Sequence, residues 1–242
     1  MTEKAGDSSI LVFDDTRIVR WFYLTIPFAL LFLSWEILAG VVHQPYILPP
    51  FSAVAASALS LSLAEDFAST LGFSLLGLLI TLLAGLPLGS FIQRSNKAKW
   101  ALEPFIWFLL FAIGIGTTRL APILIVMFGL TQLTLLIQSI IVPVLVVSLI
   151  SGYGSMHLAI RLGFLMCMSF RFMGEMIFGT TIMGMGYQFS MSCDLHNVEM
   201  MYAIMLLMGF SGLFIDRVLI KYAGILVKKI GGGREIAFGN HQ

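Results

Sequence analysis

Residues 102–152 read LEPFIWFLLFAIGIGTTRLAPILIVMFGLTQLTLLIQSIIVPVLVVSLISG, 51 positions of which only Glu103 and Arg119 are charged. As one continuous helix the stretch would extend about 77 Å, more than twice the thickness of a bilayer's hydrocarbon core. It must therefore fold back within an apolar layer. Gly114, Gly116, Thr117, Thr118, Arg119 and Pro122 make one irregular patch, and Gly129 to Gln132 the other plausible turn. We read Leu102–Phe128 as one broken helix and Thr131–Ser151 as the next. Hydrocarbon offers no hydrogen-bond partners, so non-helical backbone at that depth has to face protein or a water-filled cavity. The break is expected to face the protein interior.

The rest of the chain agrees. Of 242 residues, 58% are hydrophobic and 11% charged, with a mean hydropathy of +0.95. Soluble domains carry about 25% charged residues, so water cannot be the only solvent. Further spans are predicted over Ile18–Val42, Phe67–Ile92, His157–Ile182 and Glu199–Ile220. The expectation is an all-α integral membrane protein of about six transmembrane helices. Residues 1–17 form a polar N-terminal segment, 18–230 a single membrane domain and 231–242 a polar tail. The first apolar run outlasts a signal-peptide core and is read as a retained helix.

Charge sets the orientation. Of the 14 Lys and Arg, 11 fall on one side of this arrangement: Lys4, Arg17, Arg20, Arg94, Lys97, Lys99, Arg217, Lys221, Lys228, Lys229 and Arg234. The other side carries Glu65, Asp66, Asp194, Glu199, His43 and His196. The positive-inside rule then places both termini in the cytoplasm. A formal net charge of +1 gives no surplus for nucleic acid. Cys167 and Cys193 suggest neither a disulfide framework nor a zinc site, and no metal or cofactor is expected.

Arg119, Arg161, Arg171, Glu36 and Glu175 fall at membrane depth, where each charge costs about 2.5 to 3.5 kcal/mol at mid-bilayer. Arg171 and Glu175 stand i,i+4 on one helix and can neutralise each other, as a structural pair or within a pathway. Arg161 lies close enough to its helix start to snorkel to the interface. Glu36 has no partner in its own helix; it is either a packed, protonated carboxyl or a contact to another subunit. A cation beside the broken helix makes Thr117, Thr118, Arg119 and Pro122 the candidate lining of an anion route, against the alternative of a loop at the interface. The series Met166, Met168, Met173, Met176, Met183 and Met185 reads as packing, not as a soft-metal path. Walker loops, paired-Cys motifs and Ser, His, Asp constellations are absent, so the chain is not expected to be an enzyme.

Several segments resemble a family. Leu48-Pro49-Pro50, Ser74-Leu75 through Gly85-Leu86-Pro87-Leu88-Gly89, and Leu120-Ala121-Pro122-Ile123-Leu124 through Phe128-Gly129 are similar, in order and spacing, to the inner-membrane permease subunits of ABC importers for nitrate, sulfonate, taurine and bicarbonate. Arg161, Glu175 and Gly184-Met185-Gly186-Tyr187 look like the Arg, Glu and Gly-x-Gly-Tyr pattern of that family's last two helices. The resemblance spans roughly residues 18 to 230. It implies a type I importer-permease fold in a bacterial inner membrane, pairing with another permease chain, a periplasmic binding protein and separate ATPase subunits that would hold any ATPase activity. One piece departs. The family's cytoplasmic loop with its Glu-Ala-Ala and Gly signature, which docks into the ATPase, is replaced by Tyr153–Ile160, about thirty residues shorter.

Two functions follow. The first is a permease-like subunit of a binding-protein-dependent transport system for a small, anionic solute, degenerate in ATPase coupling. The second is a permease scaffold reused as a structural or assembly subunit of another membrane complex.

Overall fold

The computed structural model describes residues 12–113, 119–178 and 184–230. They form helices alone: α1 (Val12–Val42), α2 (Phe51–Ala58), α3 (Leu61–Arg94), α4 (Asn96–Ile113), α5 (Leu120–Phe128), α6 (Gln132–Gly152), α7 (Met156–Phe178), α8 (Met185–Asp194) and α9 (Val198–Ile230). Five of them, α1, α3, α6, α7 and α9, are long and apolar enough to cross a membrane. The expected sixth span, Leu102–Phe128, is divided between α4 and α5, neither of which qualifies alone. Residues 114–118 between them, with Thr117 and Thr118, lie outside the described residues.

The centre of the bundle is a seam between α3 and α6, its most extensive helix contact. Apolar surface gains nothing by leaving lipid for protein, so helices in a bilayer associate through close packing and hydrogen bonds, and small residues permit the closest approach. Along α3, Thr70, Ser74, Gly77, Thr81, Gly85 and Gly89 recur every three or four residues and are all buried. A Cβ at Gly77 would touch Ser139 Oγ at 3.4 Å, one at Gly85 would meet Val147 at 2.8 Å, and one at Gly89 would press on the Ser148 carbonyl at 2.7 Å. Contact positions rise together on both helices, so α3 and α6 run parallel. Helix α7 runs antiparallel beside them, its Gly163 against Val147 and its Gly174 against Leu135. Parallel neighbours need a connection that returns across the bundle. Helices α4 and α5 make it, Ile106 and Leu110 packing with Val142 and Leu149, and Ala121 with Leu135 and Phe178.

The turn at Gly129 to Gln132 falls where the sequence places it. Gly129 adopts φ 72° as it closes α5, with its N–H on the Ile125 carbonyl at 2.8 Å. A left-handed conformation after a helix is the role glycine fills without a Cβ penalty. The Thr131 hydroxyl then caps α6 by accepting from Thr134 N–H at 3.3 Å.

Two short helices stand where the sequence suggests only loops. Helix α2 follows Leu48-Pro49-Pro50, and Gly184 to Tyr187 opens α8 in place of a simple link. Helix α1 leans on α2, with Trp35 Nε1 donating to the Pro49 carbonyl at 3.0 Å. Its aromatic edge reaches α9, Phe28 lying 6.1 Å from Phe210 and Trp35 5.1 Å from Tyr202, centroid to centroid. Helices α1 and α9 are thus antiparallel. Arg94, Lys97, Lys99 and Arg217 collect at one end of the bundle, and Asp66, Asp194 and Glu199 at the other.

Candidate functional site

Near the acidic end, the buried charges of α7 are tied to three other helices. Arg171 and Glu175 face the same side of α7, both side chains fully buried, with Arg171 Nε on Glu175 Oε1 at 2.7 Å. Glu175 Oε2 accepts from Thr70 Oγ1 of α3 at 2.8 Å and from Gly186 N–H of α8 at 3.1 Å. Thr70 Oγ1 in turn accepts from Met185 N–H at 2.9 Å. Arg171 Nη2 reaches Gln132 Oε1, on the first residue of α6, at 2.7 Å. The guanidinium lies 4.4 Å from the centre of the Phe73 ring, a favourable place for a desolvated cation. Among the described residues Arg171 Nη1 has no hydrogen-bond partner.

Both glycines of the Gly184-Met185-Gly186-Tyr187 segment have a steric reason. A Cβ at Gly184 would sit 2.5 Å from the Glu175 carboxylate, and one at Gly186 would run into the Phe172 carbonyl. Only hydrogen at these positions lets the start of α8 lie on α7, where its free N–H groups meet an acceptor. Tyr187 is half-buried. One turn on, Gln188 Nε2 donates to Asp66 Oδ2 of α3 at 2.7 Å. Glu175, Gly184 and Gly186, singled out by the resemblance, therefore converge on one knot with Arg171.

The other expected residues lie apart from it. Arg161 forms a two-pronged pair with Asp216 of α9, Nε to Oδ1 at 2.6 Å and Nη2 to Oδ2 at 2.9 Å. Arg119 is exposed at the start of α5, its Nη1 at 3.5 Å from the Phe111 carbonyl, and Pro122 is exposed one turn along. Glu36 is exposed on α1 and has a partner in the next helix, so it is not a buried, lone carboxyl. It caps α2, accepting from Ser52 N–H at 3.2 Å and Ser52 Oγ at 3.0 Å.

Thr70, Gln132, Asp216 and Ser52 are the partners that the sequence reading misses. Thr70 carries a signal, since it begins the small-residue series on α3. Gln132 and Asp216 carry none, because their roles depend on helices 39 and 55 residues away.

At the basic end, α6 passes into α7 through Tyr153 to Ser155, with Gly154 at φ 85°. The Tyr153 hydroxyl donates to Glu103 of α4, and Lys99 lies over the Tyr153 ring at 4.7 Å from its centre. The hydrogen bond to Glu103, the little burial there and the carboxylate's charge hold the Tyr153 phenol above its ordinary range. The α6–α7 connection is thus a three-residue turn clasped to α4.

The chain matches no known protein family, curated protein or solved structure.

Proposed function

We propose that the chain is a permease-like membrane subunit of a binding-protein-dependent transport system for a small, anionic solute, serving as the member that does not couple to the ATPase. What carries the reading is the convergence of three of the resemblance residues, Glu175, Gly184 and Gly186, in one knot. Segments that resemble a family separately need not meet in space. Here Glu175, Gly184 and Gly186 close on one another at α7 and α8, while Gly85 and Gly89 seat α3 on α6. The interrupted α4 and α5 connection supplies the sixth crossing, with Arg119 at the break as the cation for an anionic solute. The basic end then faces the cytoplasm of a bacterial inner membrane.

A second reading is favoured by the α6–α7 turn. Clasped by Tyr153 and Glu103, it offers no projecting helix on which an ATPase could act, which suits a scaffold within another membrane complex. A common fold does not decide between the two. Purification of the tagged chain in mild detergent, with identification of every companion subunit, does. The transport reading expects an ATPase and a second permease that retains a full coupling loop, and Arg119→Ala should lower solute uptake. A stable complex containing neither subunit, in more than one detergent, leaves the scaffold reading standing.

A further inference from the structure

Helices α7 and α9 line an open groove of about 790 Å³ that reaches toward the basic end. Its walls are apolar, with Leu165, Met168, Met173, Met205 and Met208 among them. Its floor on α9 includes Gly209 and Gly212, where an added Cβ would meet nothing within 4 Å. The groove runs from Leu158 to Met173 on α7, about 22 Å of helix, a length and an apolar lining that suit an extended hydrocarbon chain.

The mouth of the groove is charged. Arg161 and Asp216 stand there as a bidentate pair with side-chain exposures of 46% and 25%. Neither charge is buried by the other, and Arg161 Nη1 takes no part in the pair. A cation and an anion side by side complement a head group whose phosphate and ammonium are also adjacent. Guanidinium favours phosphate oxygens through charge-assisted hydrogen bonds, and the carboxylate accepts from the ammonium. A purely anionic head group would gain Arg161 and face repulsion from Asp216.

We propose that this groove binds one acyl chain of a zwitterionic phospholipid of the ethanolamine class, with its head group on Arg161 and Asp216. The inference goes beyond the transport reading and does not depend on it. The test is native mass spectrometry of the full-length protein purified with a mixture of phosphatidylethanolamine and phosphatidylglycerol of matched chains, alongside thermal unfolding. The wild type should retain one ethanolamine lipid in preference, by about twofold to fivefold given the discounted strength of a half-exposed ion pair. Gly209→Leu and Gly212→Leu place side chains on the floor from positions where a Cβ meets nothing within 4 Å, and should abolish that retention at an unchanged unfolding midpoint. Asp216→Asn keeps the shape and should turn the preference toward phosphatidylglycerol. Equal retention of both lipids, or ethanolamine retention that survives both glycine variants, overturns the proposal. So does a dimer in which cross-links from Leu165 and Leu213 place a second protein chain over the groove.

Discussion

Glu175 has Arg171, Thr70 and the Gly186 N–H as partners, yet the pair's stabilising effect depends on keeping both charges together. Removing one side of a buried pair leaves an uncompensated charge and costs about 3 to 5 kcal/mol, whereas replacing both with apolar groups of similar volume is often neutral. Glu175→Gln and Arg171→Ala should each lower stability by that order in a denaturation assay in detergent. Arg171→Met combined with Glu175→Leu should recover more than half of the loss. A loss in the double variant equal to the sum of the single losses would show that the two do not act as a unit. Tyr153 gives a pH-dependent counterpart at the other end of the molecule. Because its folded-state pKa lies above the ordinary 10.0, the folded protein holds this proton more tightly than the unfolded chain does. The contribution is therefore complete below pH 10 and is lost as pH rises through the folded value. In alkaline absorbance titration, the difference between wild type and Tyr153→Phe should ionise late, and Glu103→Gln should bring it back toward the ordinary value.

Among the elements, α3 shows how spacing decides what a glycine does. Gly77, Gly85 and Gly89 belong to the buried small-residue series, while Gly72 is exposed and has nothing within 4 Å of an added Cβ. The glycine content of α3 is plain in the sequence, and three of the four glycines do serve close contact. Only the i,i+3 and i,i+4 phase set by Thr70, Ser74 and Thr81 separates Gly72 from the others. Gly72→Ala should be neutral or stabilise by up to about 1 kcal/mol through helix propensity. Gly89→Ala drives a methyl onto the Ser148 carbonyl and the Ser151 hydroxyl, and should destabilise by about 1 to 3 kcal/mol. Matched unfolding curves of the two variants check the contrast; similar curves would remove the seam as the organising contact. Helix α8 makes a complementary point. Its ten residues are too polar to signal a membrane span and too short to show a firm period, so a loop was the natural expectation. Hydrogen bonds from its first N–H groups to Thr70 and Glu175 fix where it lies, and those acceptors are distant in sequence.

For the whole molecule, the decisive feature is that α3 and α6 are parallel. Parallel helices oblige the intervening chain to return across the bundle, a path that α4 and α5 take in succession. Single cysteines at Lys97, at the start of α4, and at Leu130, just beyond α5, probe this in a background where Cys167 and Cys193 are replaced. A membrane-impermeant maleimide should label the two positions from opposite faces of the membrane. Labelling of both from the same face would reduce the bundle to its five long helices. The same experiment orients the basic end and so tests the cytoplasmic placement expected from the positive-inside rule.

Consecutive residues suffice to make the chain helical and apolar enough for a bilayer, to place its long spans, and to divide Leu102–Phe128 between two helices. These are local properties: run length, hydropathy and the conformational freedom of Gly129 are written into consecutive residues. The partners of the charges come from the packing of helices far apart in sequence. Arg171 and Glu175 were visible as an i,i+4 pair, but the acceptor from Gln132, the donor from Thr70 and the cap from Gly186 arrive from other helices. Arg161 snorkels in the sequence reading and pairs with Asp216 in the fold, and Glu36 acquires the start of α2. The physical reason is that a charge in an apolar medium must be neutralised by whichever group the packing brings within about 3 Å. No window of sequence contains that distance.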